Sequence, residues 1–96
     1  MERQEVLDRL ASHRPELTAL GVESLALFGS VARDQASPGS DVDLLVTFDQ
    51  PVGLFHFARV RRCLEEILGA PVDLVTEAAL RPEMRDEVLG QLVRAA

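Results

Sequence analysis

The residues of this sequence whose type and spacing could do chemistry are two aspartates, Asp41 and Asp43, separated by one valine. At the start of a β-strand, side chains two residues apart point the same way, with Cα atoms about 6.5–7 Å apart. Two carboxylates on a rigid strand suit Mg²⁺, or Mn²⁺ in its place, because these cations take oxygen ligands from protein, water and phosphate. Asp41 also follows a Ser-Pro-Gly-Ser turn sequence, which makes it a candidate turn residue, whereas Asp43 lies one step inside the strand. We expect both to bind a divalent cation.

A third carboxylate, that of Asp73, interrupts the apolar sequence Val72-Asp73-Leu74-Val75. Such a carboxylate is hard to explain as a packing residue, since buried charges need partners. On a strand beside that of Asp43, it could be a ligand of a second metal ion about 3.5–4 Å from the first, an arrangement that stabilises attacking and leaving oxygens. It could also be the base for a hydroxyl group. We therefore expect Asp73 to join Asp41 and Asp43 in one site.

Gly29 and Ser30 follow an apolar run, and Asp41 comes after ten further residues. Gly29 lets the backbone approach a phosphate closely, and the N–H groups after it can point at an anion. The Ser30 hydroxyl and the Arg33 guanidinium can donate further hydrogen bonds to phosphate oxygens. The same residues could instead be a tight turn, a helix cap and a solvated arginine. We interpret the segment as a phosphate-binding loop.

The elements that must position these residues follow from hydrophobic periodicity and from Gly and Pro positions. The pattern predicts a helix over the first dozen residues, restarted or ended by Pro15, and a helix over residues 54–68 that ends at Gly69. It predicts strands over residues 24–28, 41–48 and 72–75, a helical turn over residues 31–35, and a last helix with Val88, Leu89, Leu92 and Val93 inward. This order predicts one α/β domain over residues 1–96, with a small mixed sheet of about three strands flanked by helices.

Composition excludes several classes of protein. The net charge is −6, and acidic chains are poor candidates for general nucleic-acid binding, which depends on neutralising phosphates. A single cysteine, Cys63, cannot form an internal disulfide, and we interpret it as a packing residue. The longest runs without charge are nine residues, far short of the roughly 20 that span a membrane. We expect no membrane segment and a cytoplasmic location.

Residues 27–33 and 40–46 resemble the signature of the nucleotidyltransferase superfamily with a DNA polymerase β-like palm. The small size and the strand around Asp73 resemble the minimal nucleotidyltransferases, prokaryotic proteins often encoded beside HEPN-domain toxins. The resemblance covers essentially the whole chain, and its Gly-Ser and Asp-x-Asp block is fairly specific. The chain departs from the pattern at Asp34, where members commonly have glycine.

This resemblance implies Mg²⁺-dependent transfer of a nucleoside monophosphate, AMP from ATP, to a hydroxyl of a partner protein. The partner implied is a HEPN-type toxin, which makes the chain an antitoxin. Two other functions stay open: a binding module that neutralises a partner by occlusion, and the catalytic subunit of a drug-modifying nucleotidyltransferase. The acceptor, the base preference and whether the chain forms an oligomer are also open. The implied two-metal ligands and catalytic residues are Asp41, Asp43 and Asp73, and the implied nucleotide-binding residues are Gly29, Ser30, Arg33 and Ser40.

Overall fold

In the computed structural model, the first three strands and the helix over residues 54–68 begin and end close to where the sequence predicts. The structure describes residues 2–32, 41–80, 82–83 and 93–94. In chain order the elements are α1 (Arg3–Ser12), α2 (Arg14–Ala19), β1 (Val22–Phe28), α3 (Gly29–Ala32), β2 (Val42–Phe48), α4 (Leu54–Leu68), β3 (Val72–Thr76), a 3₁₀ turn (Glu77–Ala79) and β4 (Val93–Arg94).

Proline and glycine set two of these boundaries. Pro15 lies in the first turn of α2, where a missing N–H costs no hydrogen bond, so the chain restarts a helix after α1. Gly69 ends α4 in the left-handed conformation, with φ of 65°, and its N–H donates to the carbonyl of Glu65 over 2.7 Å. The prediction that the first helix ends or restarts at Pro15 is confirmed as a restart, and the predicted helix end at Gly69 is also confirmed.

The strands form a mixed sheet in the order β3-β2-β1-β4. Strands β1 and β2 are antiparallel, β2 and β3 are parallel, and β4 adds to the other side of β1 in antiparallel orientation. The three predicted strands are confirmed, and β4 is an addition. The expectation that Val93 belongs to a last helix is wrong, because Val93 pairs with Leu27 of β1 and so uses backbone groups that an edge strand leaves open. The other predicted inward residues of that helix, Val88, Leu89 and Leu92, lie outside the described residues.

One face of the sheet carries the core. Alternate residues of β2, namely Val42, Leu44 and Val46, are buried, whereas Asp43 between them is only partly buried. No helix among the described residues is long and apolar enough to cross a membrane. The buried side chains of the sheet pack against α1, α2 and α4, which contribute Val6, Leu10, Leu17, Val60, Leu64 and Leu68.

Candidate functional site

Asp43 and Asp73 are direct partners in the parallel ladder between β2 and β3. Neighbouring strands lie about 4.8 Å apart, and partnered residues of parallel strands point to the same face. The two carboxylates therefore project side by side on the face of the sheet opposite the core, Asp43 partly buried and Asp73 exposed. Like charges directly opposite one another repel, so this pair favours a cation.

Gly29 lies on the other side of Asp43. Phe28, the last residue of β1, is the antiparallel partner of Asp43, and the chain turns at Gly29 with φ of 74°. A β-carbon at Gly29 would overlap the Oδ2 atom of Asp43 and would lie 3.0 Å from its Cγ. The carboxylate of Asp43 thus lies directly against the backbone where α3 begins. The sequence predicts that Gly29 allows close approach of a phosphate. It does not indicate that the same glycine also makes room for the Asp43 carboxylate.

Asp41 immediately precedes β2 and is exposed. The start of β2 is held beside the start of β3, because the Val42 N–H donates to the Pro71 carbonyl over 2.9 Å. The described residues contain no group of three or more His, Cys, Asp or Glu side chains that could hold a metal ion by themselves. Asp41 as a third carboxylate ligand therefore stays a prediction, whereas Asp43 and Asp73 are brought together.

The carboxylate pair fits a divalent cation of the Mg²⁺ type. Its donors are oxygens on rigid strands, and Mg²⁺ is commonly bound by one or two carboxylates, with water and phosphate oxygens completing its shell. The cradle formed at Gly29, where a β-carbon would fill the space that the Asp43 carboxylate occupies, fixes one of these donors against the backbone.

The predicted phosphate-binding segment begins beside this pair. The backbone of Ser30 lies in α3, directly after Gly29, and the buried side chain of Val31 anchors that turn in the core. A phosphate near Asp43 would therefore meet the backbone of Gly29 and Ser30. Arg33 and Ser40, the other predicted nucleotide-binding residues, lie outside the described residues, as does Asp34.

Cys63 is separate from the site. It lies on α4, partly buried, and burial raises the pKa of its thiol, which the negative charges of Glu16 and Glu66 raise further. A thiol with a raised pKa stays protonated at neutral pH and is a poor nucleophile. This agrees with its interpretation as a packing residue.

A cavity of about 730 Å³ lies at the opposite ends of β2 and β3 from the carboxylate pair. Its lining includes Phe48, Pro51, Leu54 and Thr76. Next to it, the side chains of Leu54 and Phe55 are 79% and 91% exposed at the start of α4. Adjacent exposed apolar side chains can contribute to a protein contact, and these two are remote from the carboxylates.

Sequence and structure comparisons identify known proteins that are similar to this chain. Residues 4–94 match the sequence model of a family described as nucleotidyltransferase domain. Protein adenylyltransferase MntA of Thermococcus cleftensis is 36% identical over 91 residues, which are 94% of this chain and 92% of that protein. A solved minimal nucleotidyltransferase has a TM-score of 0.82 at 35% identity, covering 97% of this chain and 95% of that one.

A more distant solved structure contains the tri-AMPylated HEPN toxin of Shewanella oneidensis in complex with the MNT antitoxin. Its similarity has a TM-score of 0.59 at 17% identity and covers 90% of this chain and 71% of that chain. At this identity the likeness shows a shared fold.

Proposed function

Since this chain belongs to the nucleotidyltransferase domain family and is a nucleotidyltransferase, we propose that it transfers AMP from ATP to a hydroxyl group of a partner protein. The proposed partner is a HEPN-type toxin, which the transfer would inactivate. The Thermococcus cleftensis relative, a protein adenylyltransferase, supports the choice of AMP and of a protein acceptor. The Shewanella oneidensis complex, in which the HEPN toxin is AMPylated, supports the choice of partner.

The proposed reaction is one displacement at phosphorus. The acceptor oxygen forms a bond to the α-phosphorus of ATP, the bond from that phosphorus to the oxygen of the β-phosphate breaks, and pyrophosphate leaves with the electron pair. Bound Mg²⁺ would neutralise charge on the attacking and leaving oxygens. Asp43 and Asp73 would hold it, with Asp41 as the proposed third ligand.

Each carboxylate has a distinct task in this scheme. Asp43 is partly buried and lies against Gly29, so its oxygens are fixed relative to the backbone that meets the phosphates. Asp73 is exposed on the edge strand β3, where a group presented by a partner can reach it. Asp73 would therefore accept the hydroxyl proton or hold the second cation.

The nucleotide would be bound along the turn from β1 into α3. The backbone of Gly29 and Ser30 would contact phosphate oxygens, and the Ser30 hydroxyl, Arg33 and Ser40 would add donors. Backbone N–H groups cannot be removed by a side-chain substitution. Ser30→Ala should therefore slow transfer more mildly than loss of an aspartate.

The observation that carries this proposal is the register of Asp43 with Asp73, beside the cradle at Gly29. Its test is to mix the chain with a HEPN-type partner, Mg²⁺ and ATP labelled at the α-phosphate. Label should appear covalently on the partner and pyrophosphate should be released. Asp43→Ala should abolish both, whereas Asp49→Ala, which removes an aspartate just beyond the other end of β2, should leave both intact.

The exposed side chains of Leu54 and Phe55 favour a second candidate function, neutralisation of a partner by binding alone. That function predicts no transfer of label and full neutralisation by Asp43→Ala. Neutralisation and labelling should therefore be measured on the same proteins. Equal neutralisation by wild type and Asp43→Ala, with no label on the partner, would contradict the catalytic proposal.

A further inference from the structure

The N–H of Val72 faces away from the sheet at the start of β3. Val42 donates its N–H to the carbonyl of Pro71, so its backbone groups face β3. In a parallel ladder, the N–H of its partner residue Val72 then points to the other side. That side is the outer edge of the sheet, since β3 is the terminal strand among residues 2–32, 41–80, 82–83 and 93–94. Val72 itself is only 5% exposed.

A side chain from α4 accepts a hydrogen bond from this N–H. The Oε2 atom of Glu65 accepts a hydrogen bond from the Val72 N–H over 3.1 Å. The backbone carbonyl of the same glutamate accepts the N–H of Gly69, the left-handed residue that ends the helix. Glu65 therefore holds both ends of the connection between α4 and β3.

The helix that carries Glu65 is itself anchored at that end. The Nη1 atom of Arg9, on α1, donates to the carbonyl of Leu68 over 2.8 Å. Leu64 and Leu68 are fully buried in the core. The Glu65 carboxylate is thus presented from a fixed helix end, and a hydrogen bond from an N–H to a carboxylate is stronger than one to a neutral acceptor.

Val72 directly precedes Asp73, so the bond that fixes Val72 also fixes the Asp73 backbone. We infer that Glu65 is a positioning residue for Asp73 and acts through the Val72 N–H. This inference rests on the proposed function, in which Asp73 and Asp43 share a site. Misplacing a reacting group by about 1 Å can cost roughly 10²-fold in rate, so a loose start of β3 would reduce turnover.

The test compares three variants: Glu65→Ala, Glu65→Gln, and Glu66→Ala as the matched control from the next, exposed position of α4. Adenylylation of the partner is measured well below each Tm. We expect Glu65→Ala to lower kcat by about 10- to 100-fold with little change in the KM for ATP. Glu65→Gln keeps an oxygen that accepts the Val72 N–H and should recover most of kcat, and Glu66→Ala should match wild type.

A purely structural role would lower the Tm of Glu65→Ala and leave its kcat unchanged below that Tm. This result would overturn the inference, as would failure of Glu65→Gln to recover any of the lost activity. If Glu65→Ala does not fold, Glu65→Asp replaces it, because its carboxylate is one methylene short of the Val72 N–H. We expect the same loss of kcat from Glu65→Asp.

Two readouts do not depend on catalysis. Amide hydrogen exchange at Val72 and Asp73 should accelerate in Glu65→Ala but not in Glu66→Ala, and the rise in Tm caused by Mn²⁺ alone should shrink. If wild type transfers no label, the proposed function fails, and these readouts still decide the positioning. Unchanged exchange and an unchanged Mn²⁺ response in Glu65→Ala would contradict it.

Discussion

The carboxylate of Asp43 lies against the α-carbon of Gly29, in the space that a β-carbon would occupy. Asp43 and Gly29 are therefore one structural unit, although 13 residues separate them in the sequence. The residue type at position 29 decides where an Asp43 oxygen can be. The first prediction follows from this contact.

Gly29→Ala should displace the Asp43 carboxylate and strain the backbone, which has φ of 74°. A left-handed conformation costs a residue with a β-carbon roughly 1–2 kcal/mol, so the free energy of unfolding should fall by at least about that amount. Nucleotide transfer should fall by roughly 10²-fold, because the proposed metal ligand Asp43 is misplaced. Chemical denaturation and labelling of the partner measure the two effects.

Gly53→Ala is the control for this substitution. Gly53 has φ of −80°, and no atom lies within 4 Å of its ideal β-carbon. The variant should keep wild-type activity. If Gly29→Ala were as active as Gly53→Ala, the cradle would not position Asp43.

Asp73→Asn should stabilise the metal-free protein, since it removes a negative charge directly opposite Asp43. Like charges in this position destabilise a strand pair by roughly 0.2–1 kcal/mol, and the Tm should rise accordingly. We expect millimolar Mg²⁺ with ATP to raise the Tm of wild type further by binding the folded state, and this rise should largely disappear in Asp73→Asn. Thermal melts with and without Mg²⁺ and ATP measure both changes.

Asp41→Asn tests the ligand that the described geometry does not bring into a cluster. A metal ligand at position 41 predicts that this variant also loses most of the Mg²⁺-dependent rise in Tm. Asp49→Asn should keep the full rise. A full rise in Asp41→Asn would remove Asp41 from the site and leave the pair of Asp43 and Asp73.

Leu64→Ala and Leu54→Ala compare two leucines of the same helix. The side chain of Leu64 is fully buried, and truncating a buried leucine costs about 2–5 kcal/mol of stability. Leu54 is 79% exposed, and its truncation should change stability by less than about 0.5 kcal/mol. Urea denaturation of both variants measures the difference, and similar midpoints would contradict the placement of α4.

The raised pKa of Cys63 moves the reaction of its thiol with alkylating reagents to higher pH. Burial raises this pKa first, and the charges of Glu16 and Glu66 raise it further. Because the thiolate is the nucleophile, alkylation by iodoacetamide at pH 8 should be slower in the folded chain than in urea. The rate should increase as pH rises above the usual thiol pKa, and Glu66→Gln should speed it at fixed pH.

The same shift fixes the sign of a pH effect on stability. A thiol whose pKa is higher in the folded chain contributes stability below its unfolded pKa, and this contribution is lost as pH rises through the folded pKa. Cys63→Ala should therefore lose less stability than wild type as pH rises above the usual thiol pKa. Equal alkylation rates in the folded and unfolded chains would contradict both effects.

The sequence predicts the elements better than it predicts their contacts. The helix over residues 54–68 has the predicted bounds, because its apolar positions recur with helical period and Gly69 terminates it. The strands around Asp43 and Asp73 are also predicted, since short apolar runs lie between turn residues. These patterns are local, because each lies within a single segment of the chain and can be recognised without knowing what that segment packs against.

The relationships that build the site are not local. The register of Asp43 with Asp73 depends on how the connection through α4 closes, and the contact of Gly29 with Asp43 depends on the pairing of β1 with β2. The spacing of residues along the sequence predicts neither this register nor this contact. The strand β4 is not predicted, for the same reason. Its two residues form a strand because they pair with the free edge of β1, which lies far away in the sequence.

The two carboxylates of the candidate site lie on strands that differ in how many neighbouring strands hold them in the sheet. Asp43 is on β2, which has a neighbour on each side, whereas Asp73 is on β3, which pairs with β2 alone within the part of the chain that the structure describes. Edge elements open at a smaller free-energy cost than the centre of a fold. Brief detachment of β3 would separate the carboxylates while β1 and β2 stay paired. In the proposed reaction, activity therefore depends on this edge of the sheet, and on heating it should be lost before the whole protein unfolds.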